Sequence, residues 1–324
     1  MQRLAGGRRR VALIGNPAGW HLGRLQTALR ARGHETTAVR WDALAATVAV
    51  PSREPPCPAT TQPPAPAEQF LPAAVAEADL VVVRGMPAGS LEQIVFRMDL
   101  LGRLEARGTP VVNPPRGLEV AIDKYLSLAR MAAAGLPVPG TILAQDAATI
   151  RAAWEALGGD CVIKPLFGSR GRGLARLADE AAVAAVVAGG DSAPTGGVAY
   201  VQEFVPHPGW DVRVLVIGDQ AFTIRRHAAG GDWRTNVSLG GRAEPFAAPA
   251  NWIDLARDAA RAVGAEIAGV DLLPATDGRL LVLEVNAVPG WRGLEAATGI
   301  PVAERVVDFL ETRPPQKAGP RDRC

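Results

Sequence analysis

The chain of 324 residues is long enough for about two domains. With 48% hydrophobic and 21% charged residues it has the balance of a protein that buries cores, which excludes disorder as a description of the whole. Its 35 Lys and Arg against 33 Asp and Glu leave a net charge of +2, too near neutral for the basic footprint of a nucleic-acid binder. No apolar run approaches the roughly 20 residues of a membrane-spanning helix. Arg8-Arg9-Arg10 lead into only the brief stretch Val11–Ile14, too short for the core of a secretory signal. Cys57, Cys161 and Cys324 stand far apart and form no C-x-x-C pair for zinc or redox chemistry. These features predict a cytoplasmic protein with no membrane and no nucleic-acid partner.

In chain order, Val11–Gly15 reads as a buried strand, Leu22–Arg32 as a helix stopped at Gly33, and Thr36–Arg40 as a second strand. Prolines at 51, 55, 56, 58, 63, 64, 66 and 72 make 51–72 an exposed linker or insertion, a proline-rich ligand for a signalling module being the other reading. Ala78–Arg84 is a strand, and Ser90 with Gln93 forms a capping box opening a helix to about Arg107. Pro110–Asn113 is a further strand, broken off by Pro114-Pro115. Strands alternating with helices predict a parallel α/β sheet in an N-terminal domain of residues 1–115. No G-x-G-x-x-G follows its first strand, which disfavours a dinucleotide site.

From Gly117 the pattern turns α+β. One helix to Ala134 is followed by strand Thr141–Ala144, an Asp146-capped helix to Leu157, strand Cys161–Pro165 and the glycine loop Gly168–Gly173. Strand Leu174–Leu177, a helix to about Ala188, a flexible loop Gly189–Gly197 and strand Tyr200–Val205 come next. Strands Val212–Ile217 and Ala221–Arg226, a helix Ile253–Val263, strands Gly269–Pro274 and Arg279–Asn286, and a helix Val302–Glu311 complete the pattern. Residues 313–324 read as a disordered tail.

The residues that carry chemistry begin with the last strand pair. Asp277-Gly278 favours a two-residue type I′ hairpin. That register sets Asp271 opposite Glu284, with Asn286 two residues along on the same face. Val270, Leu272, Leu283 and Val285 are too apolar to solvate these oxygens. Facing carboxylates repel unless a cation neutralises them. Oxygen ligands without His or Cys suit Mg²⁺ or Mn²⁺ arriving with phosphate oxygens. A hairpin with a solvated polar face is the plainer alternative.

Lys164-Pro165, ending a strand before Gly168-Ser169-Arg170-Gly171-Arg172-Gly173, fits a lid whose backbone N–H groups approach a polyphosphate. A simple turn would use the same residues, and no G-K-[ST] makes this a P-loop. Gln202-Glu203-Phe204-Val205 places a polar pair inside a strand, where a buried Glu needs partners such as an adenine amino group and ribose hydroxyls. Arg213, two residues after Asp211, and the pair Arg225-Arg226 supply cations suited to carboxylate or phosphate, and Arg234-Thr235-Asn236 with Gly240-Gly241 supplies a polar glycine loop. Surface ion pairs are the alternative for these, as is a solvated surface position for Lys124. Cys161 reads as a packed core thiol.

Taken in order, these elements resemble the ATP-grasp ligases, and among them the RimK-type α-L-glutamate ligases, over roughly residues 75–312. The resemblance implies an ATP-grasp fold preceded by a parallel α/β domain, with the second domain spanning 116–312, its lid about 124–200 and its metal-binding part about 201–312. It implies that Lys124 and Lys164 contact ATP phosphates. Gly168, Ser169, Gly171 and Gly173 would belong to the mobile loop, and Gln202, Glu203, Phe204 and Val205 to the adenine hinge. Asp211, Arg234, Thr235 and Asn236 lie near the nucleotide. Asp271, Glu284 and Asn286 match the ligands of two Mg²⁺ or Mn²⁺ ions. The implied reaction joins L-glutamate to a carboxylate through an acyl phosphate, with Arg213 and Arg226 holding carboxylate or phosphoryl oxygens.

Phe96-Arg97-Met98-Asp99, Asn113-Pro114-Pro115 and Glu284–Leu294 are similar to the tetrahydromethanopterin:glutamate ligases, which points to a small carboxylate-bearing acceptor of pterin type. Trp291 and Arg292, just beyond Asn286, would then stack on a flat heterocycle and hold its carboxylate, core packing being the alternative for Trp291. The stretch Val237–Gly241 lacks the basic residues that ribosome-modifying members often carry. Glutamylation of a protein C-terminus, an ATP-grasp kinase and a non-catalytic ATP-binding regulator stay open, as does association into a homo-oligomer.

Overall fold

The computed structural model describes residues 7–48, 70–167, 173–189, 197–230, 232–235 and 240–313. Residues 51–69 of the proline-rich insertion, most of the glycine loop (Gly168, Ser169 and Gly171 included), Asn236 and residues 314–324 lie outside the described residues. The chain forms two compact units. One runs to Pro115 and takes up the chain again from Ala303, and the other spans Arg116–Val302.

The first unit contains β1 (Arg10–Ile14), α1 (Trp20–Ala31), β2 (Glu35–Val39), α2 (Ala73–Ala76), β3 (Leu80–Val83), α3 (Leu91–Ala106) and β4 (Val111–Val112). Its sheet has the order β2-β1-β3-β4 and is parallel throughout, as the alternating pattern predicts. The central strands are continuous apolar runs because both faces of a parallel sheet are covered. The predicted capping box opens α3: Ser90 Oγ accepts from Gln93 N while Gln93 Oε1 accepts from Ser90 N.

In the second unit the single helix expected over 117–134 is two, α4 (Pro115–Ile122) and α5 (Lys124–Ala133). Asp123 separates them in an extended conformation, and its carboxylate accepts from the N–H groups of Tyr125 and Leu126 at 2.9 and 3.0 Å. An aspartate that satisfies two such donors outcompetes helix continuation. Then come β5 (Thr141–Ala144), α6 (Ala147–Ala156), β6 (Cys161–Pro165), β7 (Ala175–Leu177), α7 (Glu180–Ala188) and β8 (Ala199–Glu203). The antiparallel sheet β5-β8-β6-β7 packs against α6 and α7 through Ile150, Ala153, Ile163, Leu177, Val183 and Val201. Cys161 is wholly buried in that core, and burial pushes its thiol up to about 11.

The rest of this unit holds β9 (Trp210–Ile217), β10 (Gln220–His227), β11 (Arg242–Pro245), α8 (Ala250–Val263), β12 (Ile267–Pro274), β13 (Leu280–Asn286) and α9 (Arg292–Thr298). Five strands make an antiparallel sheet in the order β11-β10-β9-β12-β13.

The β12–β13 hairpin departs from the predicted two-residue turn. Ala275 N donates to Arg279 O at 2.8 Å, and Gly278 takes φ +92°, so the loop is the three residues Thr276, Asp277 and Gly278. Pairing beside it runs Pro274–Leu280, Leu273–Leu281 and Leu272–Val282, one residue out of the expected register. A β-bulge then leaves Leu283 extra, after which Asp271 pairs with Glu284 and Gly269 with Asn286. The turn and the bulge cancel, and the site end of the hairpin has the predicted alignment.

The last helix, α10 (Val302–Glu311), belongs with the first compact unit from Ala303 on. Buried Ala303, Val306, Val307 and Leu310 form its apolar stripe, and Leu310 lines a small cavity with Val11, Leu29 and Leu80. Arg9 donates to the backbone carbonyls of Leu310 and Arg313 at 3.1 and 2.7 Å, satisfying groups at the helix end. His34 Nδ1 accepts from Arg9 N, which leaves Nε2 to donate to Glu311 Oε1 at 3.1 Å.

Candidate active site

One face of the five-stranded sheet carries a polar stripe across four neighbouring strands. Arg226 on β10 pairs with Asp211 on β9, Arg213 on β9 with Asp271 on β12, and Asp271 with Glu284 on β13. Because side chains two apart on a strand share a face, Asp211 and Arg213 point the same way, as do Glu284 and Asn286. Arg225 lies on the opposite face of β10. Its guanidinium is 4.4 Å from the Trp210 and Phe246 ring centroids and 3.5 Å from Glu244.

The middle of the stripe is a buried network of two carboxylates and two guanidiniums. Arg226 Nε and Nη2 donate to Asp211 at 2.7 and 2.5 Å, and Thr235 Oγ1 adds a third bond to that carboxylate at 2.6 Å. Arg226 Nη2 also lies 2.9 Å from Asp271 Oδ2. Arg213 completes the pairing of Asp271, with Nε on Oδ1 and Nη2 on Oδ2. Burial alone would raise the Asp271 carboxyl, but the charges and hydrogen bonds of the two arginines hold it below its ordinary range. Gly269 makes this packing possible: a Cβ there would lie 2.9 Å from Arg213 Nη1 and 3.1 Å from Pro289 Cβ.

Beside this network, Lys124, Lys164 and Glu284 line one crevice with Ser127, Met131 and Tyr200. Asp123 sets Lys124 at the first position of α5, where its Nζ donates to Leu166 O at 3.3 Å. Lys164 on β6 is the cross-strand neighbour of Tyr200 on β8, and its Nζ stands 5.2 Å from the ring centroid. Burial lowers both lysines, Lys164 to about 8, while Glu284 pulls each of them back up. Glu284 is exposed and makes no hydrogen bond to any described residue.

The remaining predicted residues divide between this site and the scaffold. Gln202 is buried, its amide donating to Thr141 Oγ1 at 2.9 Å and Tyr200 Oη at 3.3 Å. Glu203 accepts from Gly140 N at 2.9 Å and Arg279 Nη1 at 3.2 Å. Phe204 lies under the Arg176 guanidinium, and Val205 joins Leu273 and Leu281 in a small core. Arg234 forks onto Asp232. Asn286 Oδ1 accepts from Val288 N at 2.9 Å. Gly173 has φ +71° at the end of the glycine loop.

Trp291 is corrected. At 1% exposure it is a core residue, and its ring offers no face to a ligand, whereas Arg292, the first residue of α9, is exposed. Sequence reasoning missed Asp123, Tyr200 and Gly269. An aspartate before a helical lysine and a glycine inside a strand were available signals for two of them, but nothing marked the tyrosine. Among the described residues no helix is long and apolar enough to cross a membrane.

A model of the RimK-like ATP-grasp domain matches residues 121–310. The chain is 34% identical over 264 residues to the tetrahydromethanopterin:alpha-L-glutamate ligase of Methanosarcina acetivorans, a match covering 73% of this chain and 81% of that protein. It is 33% identical over 214 residues to a probable alpha-L-glutamate ligase of Haemophilus influenzae, covering 65% and 70% respectively. The crystal structure of a RimK domain ATP-grasp protein from Sphaerobacter thermophilus superposes with a TM-score of 0.67 at 26% identity, covering 93% of this chain and 98% of that one.

Proposed function

Because the chain belongs to the RimK-like ATP-grasp family and is an ATP-grasp ligase, we propose that it joins L-glutamate to a carboxylate on a small soluble metabolite. The acceptor carboxylate takes the γ-phosphoryl group of ATP, releasing ADP. The amino group of glutamate then displaces phosphate from the acyl phosphate, and the amide forms. The observation that carries this reading is the convergence of Lys124, Lys164 and Glu284 in one crevice beside the Asp271–Arg213–Arg226 network. Positioning and charge neutralisation account for the catalysis, because such a transfer asks little covalent chemistry of the protein.

ATP and a divalent cation belong to the family's chemistry; Mg²⁺, with Mn²⁺ as a substitute, is the ion proposed here. The donor set fits it: two carboxylates paired across strands and an amide two residues on, all hard oxygens. When bound, the ion would supply Lewis-acid stabilisation of phosphate oxygens. Lys124 and Lys164 take the phosphate charge, and Arg213 and Arg226 orient the acceptor carboxylate. At the hinge, the Gln202 and Val205 side chains are engaged within the fold, so contact with adenine there falls to backbone groups and to Glu203.

A pterin-type acceptor is supported by the Methanosarcina relative, by the near-neutral charge and by the absence of basic residues in 237–241. Trp291 lends it no support. A mass-spectrometric screen with ATP, Mg²⁺, glutamate and candidate acceptors tests the reading. A gain of one glutamyl unit with ADP as the nucleotide product is expected. A phosphorylated acceptor, or glutamylation confined to a ribosomal protein, would overturn it.

A further inference from the structure

Asp271 is proposed above as a metal ligand, yet its carboxylate is already engaged by two cations. Arg213 covers both oxygens in a fork, and Arg226 Nη2 reaches Oδ2 at 2.9 Å. A carboxylate has about four acceptor positions, and three are filled. The two arginines are held differently. Arg226 is anchored from behind by both oxygens of Asp211, which Thr235 braces in turn. Arg213 donates to Asp271 and to no other described residue, and its side chain is 17% exposed against 7% for Arg226. Its Nη1 lies over Gly269, where the missing side chain leaves room for the guanidinium.

We propose that Arg213 is an exchangeable counter-cation for Asp271: it neutralises the carboxylate before a divalent ion arrives and gives it up when the ion binds. A guanidinium and a hard dication compete for the same oxygens, and each repels the other at contact distance. Arg213 therefore weakens binding of the free ion, and the ion is taken up together with nucleotide. Once displaced, the guanidinium is free to hold the acceptor carboxylate, so the same event that completes the metal site delivers the substrate-binding cation. Arg226, tied to Asp211, stays in place.

This inference rests on the reading of Asp271 as a metal ligand, and the experiment separates the two. Mn²⁺ binding to the intact chain is followed by electron paramagnetic resonance, with and without a non-hydrolysable ATP analogue. Without nucleotide, Arg213→Gln is expected to bind Mn²⁺ at least tenfold more tightly than the parent chain. Arg213→Lys, which keeps the charge, should stay within about threefold, and Asp271→Asn added to Arg213→Gln should abolish the gain. Unchanged or weaker binding by folded Arg213→Gln overturns the exchange. If Asp271→Asn alone leaves nucleotide-dependent Mn²⁺ binding intact, the metal-ligand reading fails and the exchange falls with it.

A second measurement does not depend on the glutamine variant folding. In protein carrying ¹⁵N-labelled arginine, the Arg213 Nε–H resonance, assigned by its loss in Arg213→Lys, should shift on saturation with Mg²⁺. A resonance that stays fixed while Mg²⁺ is bound refutes the exchange.

Discussion

Raising the pH through 8 should loosen nucleotide binding by discharging Lys164. Burial lowers this lysine to about 8; Glu284 raises it, Lys124 lowers it further and Asp271 raises it. Against its ordinary 10.5, the depression of about 2.5 pH units is worth roughly 3 kcal/mol in favour of the neutral amine. The structural cause is burial: the ammonium sits in the crevice away from water, which costs it solvation. A polyphosphate beside it favours the charged form, so binding above pH 8 takes up a proton. Affinity should then fall about tenfold per pH unit above 8, or about 1.4 kcal/mol.

Calorimetric titration with an ATP analogue, in two buffers of different ionisation enthalpy, reads this uptake directly. It should be near zero at pH 7, about half a proton at pH 8 and close to one at pH 9. Lys164→Gln should show a flat profile. Equal affinity at pH 7 and 9, with heats independent of buffer in the parent chain, would refute the reasoning. The same depression acts on folding with a definite sign. Between about 8 and 10.5 the unfolded chain binds the proton and the folded chain does not, so this lysine's contribution to stability rises with pH across that window.

Glu284→Gln should leave the fold intact and lower turnover by roughly a thousandfold or more at ordinary Mg²⁺, as steady-state kinetics would show. Asp123→Ala removes the cap of α5, costing about 1 kcal/mol. Because that cap sets Lys124 in place, KM for ATP should rise several-fold while KM for the acceptor stays put. Trp291→Phe should lower the thermal midpoint and leave KM for the acceptor unchanged, since the ring is buried; a selective rise in that KM would restore a contact role.

The sequence made much of this legible, for reasons that differ from residue to residue. The parallel sheet of the first unit followed from continuous apolar strands alternating with helices, and the start of α3 from two residues whose side chains answer each other's backbone. The pairing of Asp271 with Glu284 was found by a rule that does not hold at the turn itself. A three-residue loop displaces the register and the bulge at Leu283 restores it, and neither can be read from a favoured dipeptide. The break at Asp123 was hidden because apolar periodicity continues through it. The partners of Asp271 were hidden because strand order decides them: Arg213 and Arg226 lie 58 and 45 positions away in sequence and meet it only once β9 lies between β10 and β12. Trp291 was misjudged since composition near a site cannot say which way a ring faces.

The return of α10 makes the first unit a discontinuous module. A fragment cut to the limits of the matched domain, 121–310, would carry this amphipathic helix away from the strands it covers. Val306, Val307 and Leu310 would be left facing solvent, and Asp308 would lose Arg32, keeping only Arg305 on its own helix. What remained of the N-terminal unit would have a matching uncovered strip. Exchange of this module with a relative therefore needs two breakpoints, near 115 and near 302, and a chimaera made with one crossover inherits a helix fitted to another protein's sheet.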